Sequence, residues 1–350
     1  MSGVENGMKR KFTEFTSPGK VKVKSERIPE PEKGQVLVKT SFSAISAGTE
    51  MLVYRGRIPE HMDLDSSIPD LKKGFSYPLK YGYCAVGEVV KTGSKRDLPW
   101  TGTRVFCFKP HCSYFLADIN ELFPLPEGIS DREAVLLPAM ETAVNLVQDA
   151  QPCLGEKALV LGQGIVGILT AYLLSGFPLQ DLICLDKYPL RCRWSYSAGC
   201  SICLDPGESG TEQALEQRLQ SNYGTQGADF VVELTGDPEG LNHALQWTGF
   251  SGRIVVGSWY GDKRSQINLG GNFHRNRIQL ISSQVSTISP GLSGRWTKQR
   301  RMDLAFQKLA QIGPEWLITH EFDIDDAASA YDLLDRSPEQ ALQVILRYQD

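Results

Sequence analysis

Three glycines in the middle of the chain have the spacing of a phosphate-binding loop. Gly162, Gly164 and Gly167 form a Gly-x-Gly-x-x-Gly run directly after the apolar residues 158–161. In such a loop the first glycine allows a tight turn, the second lets the backbone approach a pyrophosphate, and the third lets strand and helix pack closely. The helix that we predict over residues 165–174 would point free N–H groups at the phosphates. The spacing therefore predicts a dinucleotide-binding site.

An acidic residue lies at the end of the next predicted strand. Asp186 follows the apolar residues 182–185 and comes 19 residues after Gly167. A carboxylate at this distance can accept both ribose hydroxyls and would repel a 2′-phosphate, which favours NAD over NADP. Lys187 and Arg191 could neutralise such a phosphate, so NADP stays an alternative cofactor.

The remaining cofactor contacts are expected from later strand ends and from one helix. The predicted cofactor-binding residues are Gly162, Gln163, Gly164, Ile165, Val166, Gly167, Asp186, Lys187, Arg191, Thr235, Gly236, Gly257, Ser258 and Thr142. Trp259 and Tyr260 follow the last of these strand ends, where they could line a substrate pocket or simply fill a cleft.

The elements that must position these residues change character near residue 131. Before it, short apolar strands such as 36–39, 86–90 and 104–108 are separated by proline and glycine. This pattern is typical of a β-rich, barrel-like unit. After it, apolar strands alternate with helices, which predicts an α/β fold with a doubly wound parallel sheet.

The transition between the two patterns is marked by a helix start. Ser130 and Glu133 predict a capping box for a helix that runs through Val147. A final strand at 344–346 is expected to return to the first unit. The predicted domains are residues 1–145 with 290–350, which form the β-rich domain, and residues 146–289, which form the dinucleotide-binding domain.

Composition excludes several classes of partner. The 350 residues are 41% hydrophobic, enough for a sizeable core, and the net charge of −4 gives no electrostatic reason to expect nucleic acid. No run of about 18 apolar residues predicts a membrane span. The N-terminal residues lack the apolar core of a secretory signal, so we expect a cytoplasmic protein whose eight cysteines are reduced thiols.

Motifs over nearly the whole chain resemble the medium-chain dehydrogenase/reductase (alcohol dehydrogenase-like) superfamily. The resemblance implies a GroES-like catalytic domain, a Rossmann domain and NAD(P)-dependent hydride transfer. The motifs that carry it are Pro29-Glu30-Pro31 before Val36-Leu37-Val38, Gly48-Thr49-Glu50, Tyr77-Pro78-Leu79 with Gly82, Val86-Gly87-Glu88-Val89-Val90, Leu125-Pro126-Glu127-Gly128, Gly162 to Gly167, and Gly227-Ala228-Asp229 before Glu233-Leu234-Thr235-Gly236.

The chain departs from this superfamily where zinc-bearing members hold their metal. The three ligand positions are matched here by Ala47, Tyr83 and Pro138, none of which replaces Cys or His as a tetrahedral zinc ligand at neutral pH. The four-cysteine structural lobe, expected after Val105, is missing. We therefore predict no zinc and no other protein-bound metal.

Within the superfamily, the N-terminal motifs are similar to the zinc-free branch that holds the hydroxyethyl-bacteriochlorophyllide dehydrogenases. The similarity is local, so it implies the branch and not the tetrapyrrole substrate. The matching segments are Ser46-Ala47-Gly48-Thr49-Glu50, Arg55-Gly56-Arg57-Ile58-Pro59 and Tyr77-Pro78-Leu79 with Gly82-Tyr83.

Without a metal, a side chain must polarise the reacting oxygen. Tyr83 occupies the place of a ligand histidine and could donate to a developing alkoxide, and Thr49 matches the hydroxyl residue that relays the alcohol proton in the zinc enzymes. These two are the predicted catalytic residues. Further candidates are His111, Glu50 and Lys80, although Glu50 is expected to pair with a nearby arginine and His111 to be a surface or hydrogen-bonded histidine.

The leading hypothesis is a zinc-independent dehydrogenase for a secondary alcohol of a sugar, polyol or larger hydroxyalkyl substrate. A quinone or activated-alkene reductase and a non-catalytic dinucleotide-binding protein are the alternatives. The expected partner besides a small-molecule substrate is a second copy of the chain, because the apolar segment 278–285 resembles an edge strand that pairs across a two-fold axis.

Overall fold

The computed structural model describes residues 8–59, 75–220 and 226–349. The chain divides into two compact units. The first, called the β-rich unit below, consists of residues 1–138 and 306–350, and the second, called the α/β unit, of residues 139–305.

Strands supply most of the β-rich unit and the centre of the α/β unit. In chain order they are β1 (Lys9–Ser17), β2 (Lys20–Arg27), β3 (Gln35–Ile45), β4 (Ala85–Thr92), β5 (Arg104–Cys107), β6 (Tyr114–Asp118), β7 (Phe123–Pro124), β8 (Lys157–Leu161), β9 (Asp181–Leu185), β10 (Ile202–Leu204), β11 (Ala228–Glu233), β12 (Thr248–Val256), β13 (Gln279–Ser282), β14 (Ile318–Asp323) and β15 (Gln343–Arg347).

The described helices follow the strand alternation that the sequence predicts after residue 131. The α-helices are α1 (Thr49–Tyr54), α2 (Asp131–Ala134), α3 (Leu137–Ala150), α4 (Ile165–Ser175), α5 (Pro189–Ser197), α6 (Thr211–Leu219), α7 (Gly240–Trp247), α8 (Lys298–Ile312) and α9 (Ala327–Arg336). Short turns of other helix types lie at Lys95–Trp100, Ile119–Glu121, Leu269–Phe273, Pro314–Leu317 and Ile324–Asp326. None of the helices in the described ranges is long and apolar enough to cross a membrane.

The β-rich unit is built on one mixed sheet and a separate hairpin. The sheet has the order β14-β15-β3-β4-β5-β7, with β6 also pairing with β3, and the hairpin is formed by β1 and β2. β15 runs antiparallel to β3, with Val344 opposite Ile45. The last strand therefore pairs with one of the first, as the sequence pattern predicts.

The α/β unit contains a six-stranded sheet in the order β10-β9-β8-β11-β12-β13, in which every pairing is parallel. All five residues of β8 are buried, because helices cover both faces of such a sheet. A core of aliphatic side chains from β8, β9, β11 and β12 and from α6 and α7 fills the space under these helices. The predicted α/β fold class is confirmed.

The predicted helix from Ser130 to Val147 is present as two helices. Ser130 and Glu133 form the predicted capping box at the start of α2, but α2 ends at Ala134 and α3 begins at Leu137. Pro138 lies in the first turn of α3, where its missing N–H is tolerated, and a proline disfavours helical backbone in the residue before it. The break is the expected consequence of this proline.

Two of the eight cysteines are joined. Cys192 in α5 and Cys203 in β10 form a disulfide whose Cα atoms lie 5.2 Å apart. The prediction that all eight cysteines are reduced thiols is therefore wrong for this pair, because α5 and β10 bring the two side chains together although 11 residues separate them. The other six cysteines are free thiols, and all but Cys153 are buried.

Candidate functional site

The glycine loop between β8 and α4 has the shape that a pyrophosphate requires. Gly162 has a φ of +89°, and a Cβ there would lie 2.6 Å from the carbonyl oxygen of Leu234. A Cβ on Gly167 would lie 2.0 Å from the carbonyl oxygen of Gly162, whereas one on Gly164 would meet open space. The first and third glycines are thus demanded by packing, and the second leaves room for a ligand at the start of α4.

The residues at the start of α4 divide into two groups. Gly164 caps the helix and Ile165 begins it, so Ile165 and Val166 place backbone N–H groups in the first turn, where phosphate binds. Gln163 is fully buried instead. Its amide nitrogen donates to the carbonyl oxygen of Val160 at 3.1 Å, and its amide oxygen accepts from the Ser195 hydroxyl at 2.9 Å. The Gln163 side chain therefore ties the loop to α5.

Asp186 is held rigidly at the end of β9. Its Oδ2 accepts the N–H of Gln163 at 2.7 Å, and its Oδ1 accepts the N–H of Tyr188 at 2.8 Å. The carboxylate is 7% exposed. Because each carboxylate oxygen has two lone pairs, both can accept a further hydrogen bond from a ribose hydroxyl. Asp186 is thus oriented beside the glycine loop, as its spacing predicts.

Two cationic side chains surround the ring that follows Asp186. The Lys187 ammonium lies 5.1 Å and the Arg191 guanidinium 4.7 Å from the centre of the Tyr188 ring. An Nη of Arg191 also lies 3.8 Å from Oδ2 of Asp186. The position that a 2′-phosphate would occupy is therefore near one anion, Asp186, and two cations, Lys187 and Arg191. These charges alone exclude neither NAD nor NADP.

The ends of β8 and β11 are neighbours in the sheet at the point where the strand order reverses. Such a switch point is where doubly wound folds bind ligands. Thr235 and Gly236 follow β11, and the N–H of Gly236 donates to the Ser258 hydroxyl at 2.9 Å. Gly257 packs closely, since a Cβ there would lie 2.6 Å from a methyl group of Leu146. Thr142 is half-buried on α3.

A buried carboxylate that the sequence reasoning did not single out organises this region. Glu233, the last residue of β11, accepts the N–H of Thr235 at 2.8 Å and the hydroxyl of Tyr260 at 2.5 Å. Burial, and next the charge of Glu233, raise the pKa of the Tyr260 phenol. A sequence signal for Glu233 does exist, because it is an acidic residue directly after the apolar residues 230–232.

The two predicted catalytic residues come together in the β-rich unit. Thr49 begins α1, and the side chains of Thr49 and Ser46 lie near the Tyr83 phenol, where they act to lower its pKa. Burial raises the pKa of the Tyr83 phenol well above its usual value of 10, and the nearby charge of Glu50 raises it further. Tyr83 is therefore a neutral hydrogen-bond donor. Ser46 belongs to this group although the sequence reasoning did not assign it a role.

Glu50 and His111 form a fully buried pair. The Nε2 of His111 lies 2.9 Å from Oε2 of Glu50, and both side chains are essentially inaccessible to solvent. The expectation that Glu50 pairs with an arginine is wrong, because the fold brings the loop after β5 against α1. Of the two expectations for His111, the hydrogen-bonded one is correct and the surface one is not. Lys80, the remaining candidate, binds Glu26 at 2.6 Å.

The donor set does not fit the zinc that the superfamily resemblance implies. Within residues 8–59, 75–220 and 226–349, no three His, Cys, Asp or Glu side chains form a group able to hold a metal ion. Beside Tyr83, the buried Cys84 thiol donates to the carbonyl oxygen of Val135 at 3.0 Å. Burial raises the pKa of that thiol, which disfavours the thiolate that a metal would need.

Comparison with known proteins identifies relatives along most of the chain, although no family model matches it. D-guloside 3-dehydrogenase of Escherichia coli K12 is 24% identical over 325 residues, which are 89% of this chain and 92% of that protein. Curated relatives at this level of similarity are medium-chain dehydrogenases.

Solved structures give the same answer for the fold. An alcohol dehydrogenase of E. coli CFT073 complexed with NADH has a TM-score of 0.77 at 18% identity and covers 97% of this chain and 100% of its own. The 2R,3R-butanediol dehydrogenase of Bacillus subtilis has a TM-score of 0.78 at 20% identity, with 97% and 99% covered. The predicted fold, a doubly wound parallel sheet with a separate β-rich domain, is confirmed, and the relatives with curated names are dehydrogenases.

Proposed function

We propose that this chain is a zinc-independent, NAD(P)-dependent dehydrogenase that interconverts a secondary alcohol and a ketone. The single observation that carries the proposal is the glycine loop after β8, which is shaped for a pyrophosphate, with Asp186 fixed next to it. When bound, the nicotinamide accepts or donates the hydride. The N–H groups of Ile165 and Val166 bind the pyrophosphate, and Asp186 binds the adenosine ribose.

NAD is the preferred cofactor in this proposal. The Asp186 carboxylate can accept hydrogen bonds from both ribose hydroxyls, whereas a 2′-phosphate at the same place would meet its like charge, which Lys187 and Arg191 offset in part. One structural neighbour was solved with NADH and another with NADP, so the choice of NAD rests on Asp186.

The substrate in this proposal is a sugar, a polyol or a larger hydroxyalkyl compound. The relatives named for guloside and butanediol act on hydroxyl-bearing carbon chains, which supports the class and leaves the individual compound to experiment. Tyr83 donates a hydrogen bond to the reacting oxygen, and Thr49 and Ser46 orient the Tyr83 hydroxyl.

The zinc-free branch of the superfamily remains our assignment. It is supported by the residues at the three ligand positions, since the methyl of Ala47, the phenol of Tyr83 and the ring of Pro138 offer no tetrahedral ligand set. The relatives of the zinc-bearing branches predict the opposite, so metal analysis of the purified protein decides between them. Near one zinc per chain would overturn the assignment.

A quaternary arrangement also belongs to the proposal. β13 is the edge strand of the six-stranded sheet, and Leu280 on it is 42% exposed. An edge with unpaired backbone groups and an apolar side chain needs cover, which a two-fold copy of the same strand would give. We propose a homodimer, and sedimentation of a stable monomer at micromolar concentration would contradict it.

The experiment that tests the function is a cofactor titration followed by a substrate panel. We expect the purified protein to bind NADH more tightly than NADPH, measured by nicotinamide fluorescence, and to reduce NAD with polyols or sugars. NADPH oxidation by quinones without alcohol turnover would favour the reductase alternative. Tight NADH binding without any turnover would favour a non-catalytic dinucleotide-binding protein.

A further inference from the structure

A chain of buried polar groups extends from Glu50 through the β-rich unit. Glu50 Oε1 accepts the N–H of Ser46 at 2.8 Å, and Oε2 accepts both Tyr331 OH at 2.5 Å and His111 Nε2 at 2.9 Å. A buried carboxylate is costly unless it is paired and hydrogen-bonded. With three hydrogen-bond partners, the Glu50 carboxylate is satisfied although it is buried.

The other nitrogen of His111 is also engaged. Nδ1 lies 2.7 Å from the Ser43 hydroxyl, which in turn lies 2.7 Å from the Tyr348 hydroxyl. A serine hydroxyl can donate or accept. Ser43 therefore donates to Nδ1 when that nitrogen is bare and accepts from it when it carries a proton. The Ser43 hydroxyl therefore satisfies Nδ1 in either tautomer of the ring.

The backbone next to Tyr83 is fitted to the imidazole ring. Gly82 has a φ of +113°, and a Cβ there would lie 2.7 Å from Cδ2 and 2.8 Å from Nε2 of His111. Any side chain at position 82 would push the ring away from Glu50. The residue directly before Tyr83 is thus packed against one member of the pair.

The backbone next to Thr49 is tied to the other member. Glu50 follows Thr49 directly, and Ser46 donates its N–H to the Glu50 carboxylate, while its hydroxyl accepts the N–H of Thr49 at 3.4 Å and lies near the Tyr83 phenol. Both chain segments that carry the Tyr83 hydroxyl cluster are therefore held by the Glu50–His111 pair.

We propose that Glu50 and His111 are positioning residues for the dehydrogenase reaction, which hold Tyr83, Thr49 and Ser46 in one hydrogen-bond arrangement so that Tyr83 donates to the substrate oxygen. This inference rests on the proposed function. The charge of Glu50 also disfavours the phenolate of Tyr83, so the pair keeps Tyr83 a donor. The pair takes the structural place of a metal centre and does not itself touch the substrate.

The other titratable groups around the pair are phenols and thiols. Burial raises the pKa of Tyr83, Cys84, Tyr331 and Tyr348, so these groups stay neutral. The titratable groups that interact with Glu50 are Tyr83, Cys84, Tyr331 and Tyr348. Tyr81 interacts with Tyr331, and Cys112 with Tyr348.

The test replaces the charge of Glu50 and follows Tyr83 directly. In full-length protein labelled with ¹³Cζ-tyrosine, the Tyr83 resonance is assigned by its loss in Tyr83→Phe. In Glu50→Gln we expect the Tyr83 ¹³Cζ resonance to shift at neutral pH, because the carboxylate that holds Ser46 and His111 has been replaced. This readout needs neither cofactor nor substrate. An unchanged Tyr83 resonance in folded Glu50→Gln would overturn the inference.

A milder variant covers the case in which Glu50→Gln does not fold. Tyr331→Phe removes one donor to Glu50 and keeps the ring, and its control is Tyr54→Phe, which removes a hydroxyl from the ring stacked on Tyr331. In Tyr331→Phe we expect kcat to fall about 10- to 100-fold, the factor for one charge-assisted hydrogen bond, while KM does not change. The pH profile of the control, Tyr54→Phe, should match that of the wild type.

The outcomes separate this inference from the proposed function. If wild-type protein fails to bind NADH, the proposed function is wrong. If NADH binding and turnover are normal but Tyr331→Phe only lowers the melting temperature, with kcat and the pH profile of kcat/KM unchanged, the pair is merely structural and the inference alone is overturned.

Discussion

Each unit of the molecule buries one carboxylate against one basic side chain, and the two pairs differ in what surrounds them. In the β-rich unit, Glu50 and His111 are bonded to the hydroxyls of tyrosines and a serine. In the α/β unit, Glu141 accepts Nε and Nη2 of Arg301 at 3.1 and 2.9 Å. The rest of the Arg301 guanidinium donates to Asn145 at 2.6 Å and to backbone carbonyls.

The difference teaches how a buried ion pair can be recognised as structural or functional. Arginine only donates and carbonyl oxygens only accept, so the hydrogen bonds around Arg301 have one direction and one geometry. Hydroxyls both donate and accept, so the hydrogen bonds around Glu50 and His111 can be reversed by rotation of the Ser43 hydroxyl. The Glu141–Arg301 pair therefore fixes a geometry, whereas the Glu50–His111 pair can adjust to a neighbouring group.

Removing the guanidinium of Arg301 should have the largest effect. Arg301→Met leaves the Glu141 carboxylate buried without its partner, which we expect to lower the free energy of unfolding by about 3–5 kcal/mol. Urea unfolding measures this change. The matched control is Arg300→Met on the same helix, where the exposed guanidinium stacks on Trp296 and a loss of about 1 kcal/mol or less is expected. Equal losses in the two variants would contradict the structural role of the buried pair.

Removing the Tyr83 hydroxyl should lower the catalytic rate strongly, whereas removing the Arg301 guanidinium lowers stability. In Tyr83→Phe we expect kcat to fall by roughly 10²–10³-fold with little change in KM, as on removal of an oxyanion donor. Steady-state kinetics with the best alcohol measures both constants. Tyr114→Phe on β6 serves as the tyrosine control. An unchanged kcat would show that Tyr83 only packs in the core, and Thr49 would then be the residue that transfers the proton.

Replacing Asp186 tests the proposed cofactor site of the α/β unit. In Asp186→Ala we expect NAD to bind about 10- to 100-fold more weakly, because charge-assisted hydrogen bonds to the ribose are lost, and NADP to be affected less. Fluorescence titration with both reduced cofactors gives the ratio. Asp186→Asn keeps the acceptor without the charge and separates the two contributions. If Asp186→Ala keeps wild-type selectivity, Lys187 or Arg191 sets the cofactor preference.

A partly exposed pair gives the smallest effect and shows what burial adds. Burial is the largest single effect on the Glu156 carboxyl, and alone it would raise the pKa. The hydrogen bonds from Arg253 and from the N–H of Cys153 together outweigh it and hold the pKa below its ordinary value of 4.5. Its contribution to stability is thus fully present above pH 4.5 and is lost as the pH falls through the lower folded-state value. Glu156→Gln should cost about 1 kcal/mol at pH 7.

Urea unfolding at pH 7 and at pH 3 checks the Glu156 prediction. The difference between wild type and Glu156→Gln should shrink at pH 3, while the loss in Arg301→Met persists there if Glu141 stays ionised beside its partner. A Glu156 effect that is the same at both pH values would show that the carboxylate contributes by packing and not by its charge.

The sequence predicts those features that depend on neighbours along the chain. Three such features depend on spacings of about 20 residues or fewer, and the structure has all of them. They are the glycine loop after β8, Asp186 at the end of β9 and the capping box at Ser130. The hairpin of β1 and β2 was not predicted, because lysines and arginines such as Lys20, Lys22 and Lys24 hide its alternating apolar pattern.

Contacts between distant segments could not be predicted in the same way. Glu50 and His111 are 61 residues apart, and Glu50 and Tyr331 are 281 residues apart. No local pattern says that a loop after β5 and a helix near the C-terminus meet at α1. The residues were recognised as chemically capable, but their partners follow only from the pairing of β15 with β3 and of β4 with β5.

The pairing of β15 with β3 also sets the order in which the molecule can form during synthesis. The Gln343 amide donates to the carbonyl oxygen of Ile45, across 298 residues, whereas the α/β unit is one continuous stretch. Domains generally form as units while the chain is still being made, and contacts between distant residues are slow to close. The α/β unit can therefore be complete on the ribosome while residues 42–45 of β3 still lack their partner strand β15.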